Sequence, residues 1–534
     1  MKHILSLILF FQLGLGLSQN SNQTDGVIIM LKRDVVKPFL TQLTNNRLNN
    51  ITYECLSLDS HIYLIKSESD DATLFNFLQE SQGVISLEYN HRLEKRIKPN
   101  DNRINEQYYL DLIKAYQAWD ITTGGKSFIN EDVVIGIIDD GYEISHEDLM
   151  GNIYINPDEI PNDGKDNDNN GYIDDVNGFN VRTAKGTHDI KSHGTNILGL
   201  LGATGNNSKG ISGINWKVKL LPVTIGNTVS EVIKGYEYLI NERTLYNTSS
   251  GTKGANIVVT NYSGGLPKAF ASSFPIWCGT YDKLGQMGIL NVAAAVNEND
   301  NVEEVGDMPS TCTSPYLLVV SSTTDKDERY TSSGFGNISI DISAPGENIL
   351  TTSLISNGVG TYKLESGTSV ATPIVAGAAA LMYSLQCEGI SSAAKADGSA
   401  LALAIKKALM DGSDLKTSLS GKTVSGGRLN IVESLHILLK DYCSTEFKKL
   451  NINSCQYYNN QLTVNYSSPD NQEFIVRIYD PTGKIVYSSY MKPPLIGKKE
   501  FTIPIFLDGM FYYCSIIQQK EIASLGFAAK DPSK

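Results

Sequence analysis

Ser366-Gly367-Thr368-Ser369-Val370-Ala371-Thr372-Pro373 sets a serine between a flexible Gly-Thr turn and an alanine-rich apolar run over residues 374–385. Gly367 can take backbone angles that a larger residue resists. Proline is tolerated near a helix start, where a missing amide donor costs little. The pattern therefore predicts a buried helix opening at Ser369, whose free amides and positive dipole end favour a developing anion. A nucleophile suits that position, and so does a plain N-cap. A base and oxyanion donors have to come from elsewhere in the chain.

Val133-Val134-Ile135-Gly136-Ile137-Ile138 is a continuous apolar run, as expected of a strand buried on both faces of a parallel sheet. Residues 257–260, 289–293 and 317–320 repeat the signal, with helical stretches such as 231–240 between some of them. The alternation predicts a doubly wound, mostly parallel α/β domain, in which sites form at the carboxyl ends of strands. Asp139 follows the first run directly. His193-Gly194-Thr195 opens a second predicted helix, and Asn297 ends Ala293-Ala294-Ala295-Val296-Asn297 at the mouth of a strand. Each has a bland reading too, as turn carboxylate, core histidine and turn asparagine. Together they arrive in the order Asp, His, Asn, Ser. That order separates one serine-hydrolase scaffold from two others, and no Gly-x-Ser-x-Gly elbow is present.

Over residues 100–440 the chain resembles the subtilisin family (subtilases) of serine endopeptidases. The matching segments are Ile138-Asp139-Asp140-Gly141, His146-Glu147-Asp148-Leu149, His193-Gly194-Thr195, Asn261-Tyr262-Ser263-Gly264-Gly265, Ala294-Ala295-Val296-Asn297 and residues 366–373. The resemblance implies Ser369 as nucleophile, His193 as base and Asp139 as the group that fixes the imidazole tautomer. It implies an oxyanion held by the Asn297 side-chain amide and the Ser369 backbone amide. Polypeptide substrates would lie as an added strand between Ser263-Gly264-Gly265 and Ala294-Ala295-Val296, with no organic cofactor. Three positions depart from the family pattern: Val296 where glycine is usual, Val370 for methionine, and Asp140 for a small hydroxyl residue. Val296 leaves a second reading open, a catalytically silent subtilase-fold binding protein. Glu298 reads as a solvated surface acid rather than as a selector of basic side chains.

The 534 residues carry 45 basic and 58 acidic side chains, a formal charge of -13, with 19% charged and 41% hydrophobic residues. This globular mix argues against a nucleic-acid surface and suits cation binding. Residues 1–18 read as a secretory signal, and no later stretch reaches membrane length without polar interruption. The expectation is an exported protein, extracellular or attached to the cell surface, without a transmembrane segment. Residues 19–96 read as a small α/β propeptide that assists folding and caps the cleft. It ends in a basic tail, His91-Arg92-Leu93-Glu94-Lys95-Arg96-Ile97-Lys98, suited to proteolytic release. Residues 97–440 form the expected catalytic domain and 441–534 a C-terminal β-sandwich.

That last region, with 476–486 and Asp508-Gly509-Met510-Phe511-Tyr512, resembles the sorting domain of Bacteroidota type IX secretion cargo, which makes the secretion machinery an expected partner. Outside Cys55 in the propeptide, six cysteines suggest the bridges 278–312, 387–443 and 455–514. Between Asp139 and His193, Asp166, Asp168, Asn170, the Tyr172 carbonyl and Asp174 take alternate positions of a calcium loop, with Asn177 where a bidentate glutamate is usual. Ca2+ is the expected ion.

Overall fold

The computed structural model describes residues 24–528 apart from 45–50, 68–70, 80, 92–97, 444–450, 459, 469–473, 482–483, 492–496, 506, 508–510 and 519–520. The predicted signal, the Lys95-Arg96 pair and parts of the sorting-domain motifs lie outside the described residues. Met1–Lys95 forms one compact unit and Arg96–Lys534 another.

In the first unit β1 (Thr24–Leu31), β2 (Thr52–Ser57), β3 (Ile62–Lys66) and β4 (Val84–His91) make an antiparallel sheet ordered β2-β3-β1-β4. Val27, Ile29 and Leu31 alternate along β1 and pack on Leu40 of α1 (Val36–Thr44) and Leu74 and Leu78 of α2 (Asp71–Gln79). Period-two alternation meeting helical spacing is what buries this core.

The second unit is built on a nine-stranded sheet. Its strands are β5 (Val134–Asp139), β6 (Phe179–Asn180), β7 (Lys219–Thr224), β8 (Ile257–Tyr262), β9 (Leu290–Ala294), β10 (Leu317–Thr323), β11 (Ile342–Pro345), and two short strands, β14 (Asp414–Leu415) and β15 (Gly427–Arg428). Their order is β14-β15-β11-β10-β9-β8-β5-β7-β6, all parallel except at the β14 edge. The expected doubly wound α/β arrangement is present, and its strands are apolar throughout because both faces are covered.

On one face Ile135 and Ile137 pack with α3 (Ser192–Gly202) and α6 (Thr368–Tyr383). On the other, Val134 and Ile138 pack with α4 (Val229–Thr248) and α5 (Pro275–Gln286). Gly136 lets α4 approach: a Cβ there would stand 2.6 Å from Leu239 Cδ1. β5 lies between β7 and β8, so the chain departs from its carboxyl end to both sides. Open α/β sheets form crevices at such a switch point.

All of α6 is buried except Ser369. Pro373 lies inside this helix, not at its start, and cannot donate to the carbonyl four residues back. That carbonyl belongs to Ser369, and the Ser263 hydroxyl donates to it at 3.0 Å. An antiparallel hairpin that the sequence reading did not anticipate, β12 (Ile349–Ser356) and β13 (Val359–Glu365), leads into the helix.

After α7 (Ile431–Leu438) the chain turns to strands β16 (Asn451–Tyr458), β17 (Gln461–Ser468), β18 (Phe474–Tyr479), β19 (Ile485–Met491), β20 (Gly497–Pro504), β21 (Phe511–Gln518) and β22 (Glu521–Ala528). They form two sheets, β16-β17-β20 and β19-β18-β21-β22, around one apolar core. Cys278–Cys312 and Cys387–Cys443 are bridged. The expected third bridge is not formed. Cys455 of β16 and Cys514 of β21 stand as a hydrogen-bonded thiol pair between the two sheets, each packed as a small apolar side chain. Among the described residues no single helix is long and apolar enough to cross a membrane.

The Cys387–Cys443 bridge closes a loop across 56 positions, from just beyond α6 to just beyond α7. Replacing both cysteines by serine is expected to lower the free energy of unfolding in urea by about 2–4 kcal/mol. Unchanged stability would show that the bridge constrains nothing the fold does not already hold.

Candidate active site

Asp139 is the last residue of β5 and is 6% exposed. Its Oδ1 receives the Asp140 backbone N–H at 2.7 Å and stands 2.8 Å from His193 Nδ1. Its Oδ2 is buried without a hydrogen-bond partner. His193 is the second residue of α3, which approaches so closely that a Cβ on Gly194 would lie 2.3 Å from the Gly141 carbonyl. Burial pulls the His193 pKa down, but the Asp139 hydrogen bond and charge, aided by Asp140 and Glu365, outweigh it and leave the value raised. With Nδ1 donating to the carboxylate, Nε2 carries the lone pair of the neutral ring.

Ser369 enters from the sheet's other half, at the second position of α6. The start of that helix is set by Gly367, whose φ of 141° favours glycine. A Cβ on Gly367 would sit 2.9 Å from Asn297 Oδ1. The Asn297 amide is oriented by Thr368, which donates its backbone N–H at 2.8 Å and its hydroxyl at 3.0 Å to Oδ1. Nδ2 has no partner among the described residues and is left as a free donor beside the helix N-terminus. Thr368 was not singled out in the sequence, where it reads only as part of a turn.

Two cavities flank these groups. One of about 330 Å³ is lined by Asp139, Asp140, His193, Tyr262, Trp277 and the Ser263–Gly265 segment. The other, about 170 Å³, is lined by all six residues expected to hold substrate, Ser263, Gly264, Gly265, Ala294, Ala295 and Val296, with Asn297, Asp307 and Thr368. The shared wall Ser263–Gly265 makes them one groove, with His193 along one part and the start of α6 along the other. Gly265 is needed there, since a Cβ would stand 2.3 Å from the Met308 carbonyl.

Val296 packs away from the Asn297 amide, against Gly334. Its Cγ1 packs toward Gly334, where a Cβ would be 2.8 Å away, and its carbonyl accepts the Gly334 N–H at 2.8 Å. Glu298 is exposed and stands 3.8 Å from the Lys268 ammonium.

The acidic insertion is laced by hydrogen bonds from its own carboxylates, and one of the expected ligands, Asp168, joins a buried acidic group. Asp166 accepts the backbone N–H groups of Asn170 and Gly171, and Asp174 those of Asp163 and Gly164. Both carboxylates therefore brace the loop itself. Asn170 also turns its Oδ1 inward on the loop, accepting the Tyr172 N–H, while the Tyr172 ring packs on Phe179. Asp168 also accepts the Asn170 N–H, at 2.9 Å, and gathers with Glu159 and Asp175, all buried, their ligand oxygens within 4.8 Å of one another. Asn170 Nδ2 connects this group to Glu242 of α4 at 2.9 Å. Glu159 Oε2 and Glu242 Oε2 are buried without hydrogen-bond partners among the described residues. Burial lifts the Glu242 carboxyl to about 8 and that of Asp175 to about 6. This acidic group could hold a metal ion. Glu159, Asp175 and Glu242 lie outside the alternating motif, so no spacing pointed to them.

The description "Subtilase family" matches residues 130–424, more than half of the chain. Subtilisin-like protease 1 of Plasmodium berghei is 31% identical over 311 residues, covering 54% of this chain and 48% of that protein. The extracellular protease of Xanthomonas campestris pv. campestris is 28% identical over 344 residues, covering 60% and 56%. A solved protease from Pseudoalteromonas arctica aligns over 63% of this chain and 98% of its own, with a TM-score of 0.45 and 21% identity. The chain spans about half the length of the curated relatives it matches. On the extent of the family match, the chain belongs to the subtilase family.

Proposed function

We propose that the chain is a secreted serine endopeptidase. The observation that carries this reading is the 2.8 Å Asp139–His193 contact in the groove that also receives the start of α6, where Ser369 alone escapes burial. As His193 Nε2 takes the proton from Ser369 Oγ, the oxygen bonds to the scissile carbonyl carbon. The carbonyl oxygen becomes the anion and accepts from Asn297 Nδ2 and the Ser369 N–H. On collapse the carbon–nitrogen bond breaks and the imidazolium returns its proton to the departing amine, leaving an acyl group on Ser369. Water then repeats the sequence, with His193 again as base. Asp139 holds the ring through Nδ1. The substrate backbone lies extended along Ser263–Gly265 and Ala294–Val296.

An extracellular relative supports export. Residues 19–96 are assigned as the propeptide, 97–440 as the catalytic domain and 441–534 as a sorting module for type IX secretion, the last on its sequence motifs.

The buried acidic group is assigned to calcium. Glu159, Asp168, Asp175 and Glu242 are hard oxygen donors, and two of their oxygens lack any partner. Several buried carboxylates without a cation are costly to keep ionised. An ion there would join the insertion to α4, a supporting role away from the reacting atoms.

Ser369→Ala is expected to abolish both peptide hydrolysis and labelling by a fluorophosphonate. Asn297→Ala is expected to lower kcat about 10²–10³-fold with the fold intact, a magnitude taken from subtilisin itself. Undiminished hydrolysis by purified Ser369→Ala would refute the assignment. For the metal, the melting temperature is expected to be several degrees higher in millimolar calcium than in chelator, with the difference shrinking in Asp175→Asn. Identical melting curves in the two buffers would remove calcium from the account.

A further inference from the structure

The smaller cavity has a carboxylate in its lining, Asp307, that no motif or spacing singles out. Asp307 follows Gly306 and pairs through a short antiparallel ladder with Pro267, on the groove's own wall. It is 2% exposed. One oxygen, Oδ2, is used twice, accepting the Val296 N–H at 3.0 Å and the Ser310 hydroxyl at 2.5 Å. The other, Oδ1, has no partner among the described residues, and a Cβ on Gly265 would lie 3.7 Å from it. Asp307 is thus a clamped, buried acid with one free oxygen, close to Gly265, and both residues line a cavity about 170 Å³ in size.

No cation faces it from the described residues. Lys268, across the same ladder, is 68% exposed and paired with Glu298. Burial, reinforced by the Glu298 charge, lifts the Asp307 carboxyl to about 7 despite its two hydrogen bonds. An ammonium or guanidinium entering the cavity would supply the missing partner, and a charge-assisted hydrogen bond is strongest where water is excluded.

From this geometry we infer that the cavity takes a lysine or arginine side chain immediately before the scissile bond, with Asp307 as its counter-ion and specificity residue. The inference rests on the peptidase reading above. The adjoining cavity carries Asp140 on its wall, so an acidic group also meets the preceding residue. A chain bearing two successive basic residues matches both positions, and this chain carries one at its own predicted processing point, Lys95-Arg96.

The test uses the full chain, its competent sites counted by fluorophosphonate labelling of Ser369. Peptides spanning residues 92–98 are offered with arginine or its neutral isostere citrulline at position 96. The wild type is expected to cleave the arginine peptide with at least about tenfold higher kcat/KM, the difference lying mainly in KM. Asp307→Asn is expected to erase that preference when the rates for each peptide are divided by the number of sites that label. Equal cleavage of the two peptides by a labelled wild type overturns the inference and leaves the peptidase reading standing. So does a preference that persists in Asp307→Asn. A wild-type chain that takes no label overturns both. Because the arginine–citrulline comparison is made on the wild type, equal cleavage there refutes the inference even if Asp307→Asn fails to fold.

Discussion

The site depends on the contact between a buried carboxylate, Asp139, and the His193 ring. Asp139 ends a strand that is apolar on both faces, and one of its oxygens has no partner. Its charge is offset by the Asp140 amide and, above all, by the His193 ring. Removing either neighbour would leave a buried charge uncompensated, so this pair is a condition on the local fold as well as on the chemistry. The sheet supplies the condition mechanically. β5 lies at the switch point, and α3 returns across its carboxyl end close enough to exclude a side chain at Gly194.

The serine half is held by exchanges of the same kind. Pro373 removes a helical hydrogen bond, and the orphaned Ser369 carbonyl is taken by Ser263, which ties the nucleophile's helix to a wall of the groove. Asn297 gives its carbonyl end to Thr368 and so presents its amide end outward. Gly367 and Gly265 are the positions where backbone must pass without a side chain. Local irregularities that weaken a helix or a turn in isolation become the means of orienting donors. Asp307 extends the pattern: its bond to the Val296 N–H fixes the strand end beside Asn297 and leaves one oxygen in the cavity.

Much of this was legible in the sequence because it is periodic or ordered. Continuous apolar runs gave the parallel strands, and the order of Asp139, His193, Asn297 and Ser369 named the scaffold. Side chains that act through long-range packing were not legible. Asp166 and Asp174 fit a calcium-loop spacing, yet each accepts nearby backbone amides, a local hydrogen bond that short polar side chains make readily. The acid that does reach inward from another element, Glu242, sits on a helix with no spacing relation to the insertion. Asp307 was not singled out at all, since only tertiary structure brings its ladder against the groove. Cys455 and Cys514 were rightly placed near one another, but proximity within an apolar core does not require oxidation.

The central claim is electrostatic: Asp139 must raise the proton affinity of His193 against the opposing pull of burial. Titration of the His193 ring by NMR in Ser369→Ala tests this without turnover, with Asp139→Asn as the comparison. Only the neutral ring can accept a proton, so a raised value means that competence is lost as pH falls through a midpoint higher than the ordinary one. A midpoint above 6.5 that drops below it in Asp139→Asn is expected. A midpoint at or below 6.5 that ignores the Asp139 substitution would contradict it.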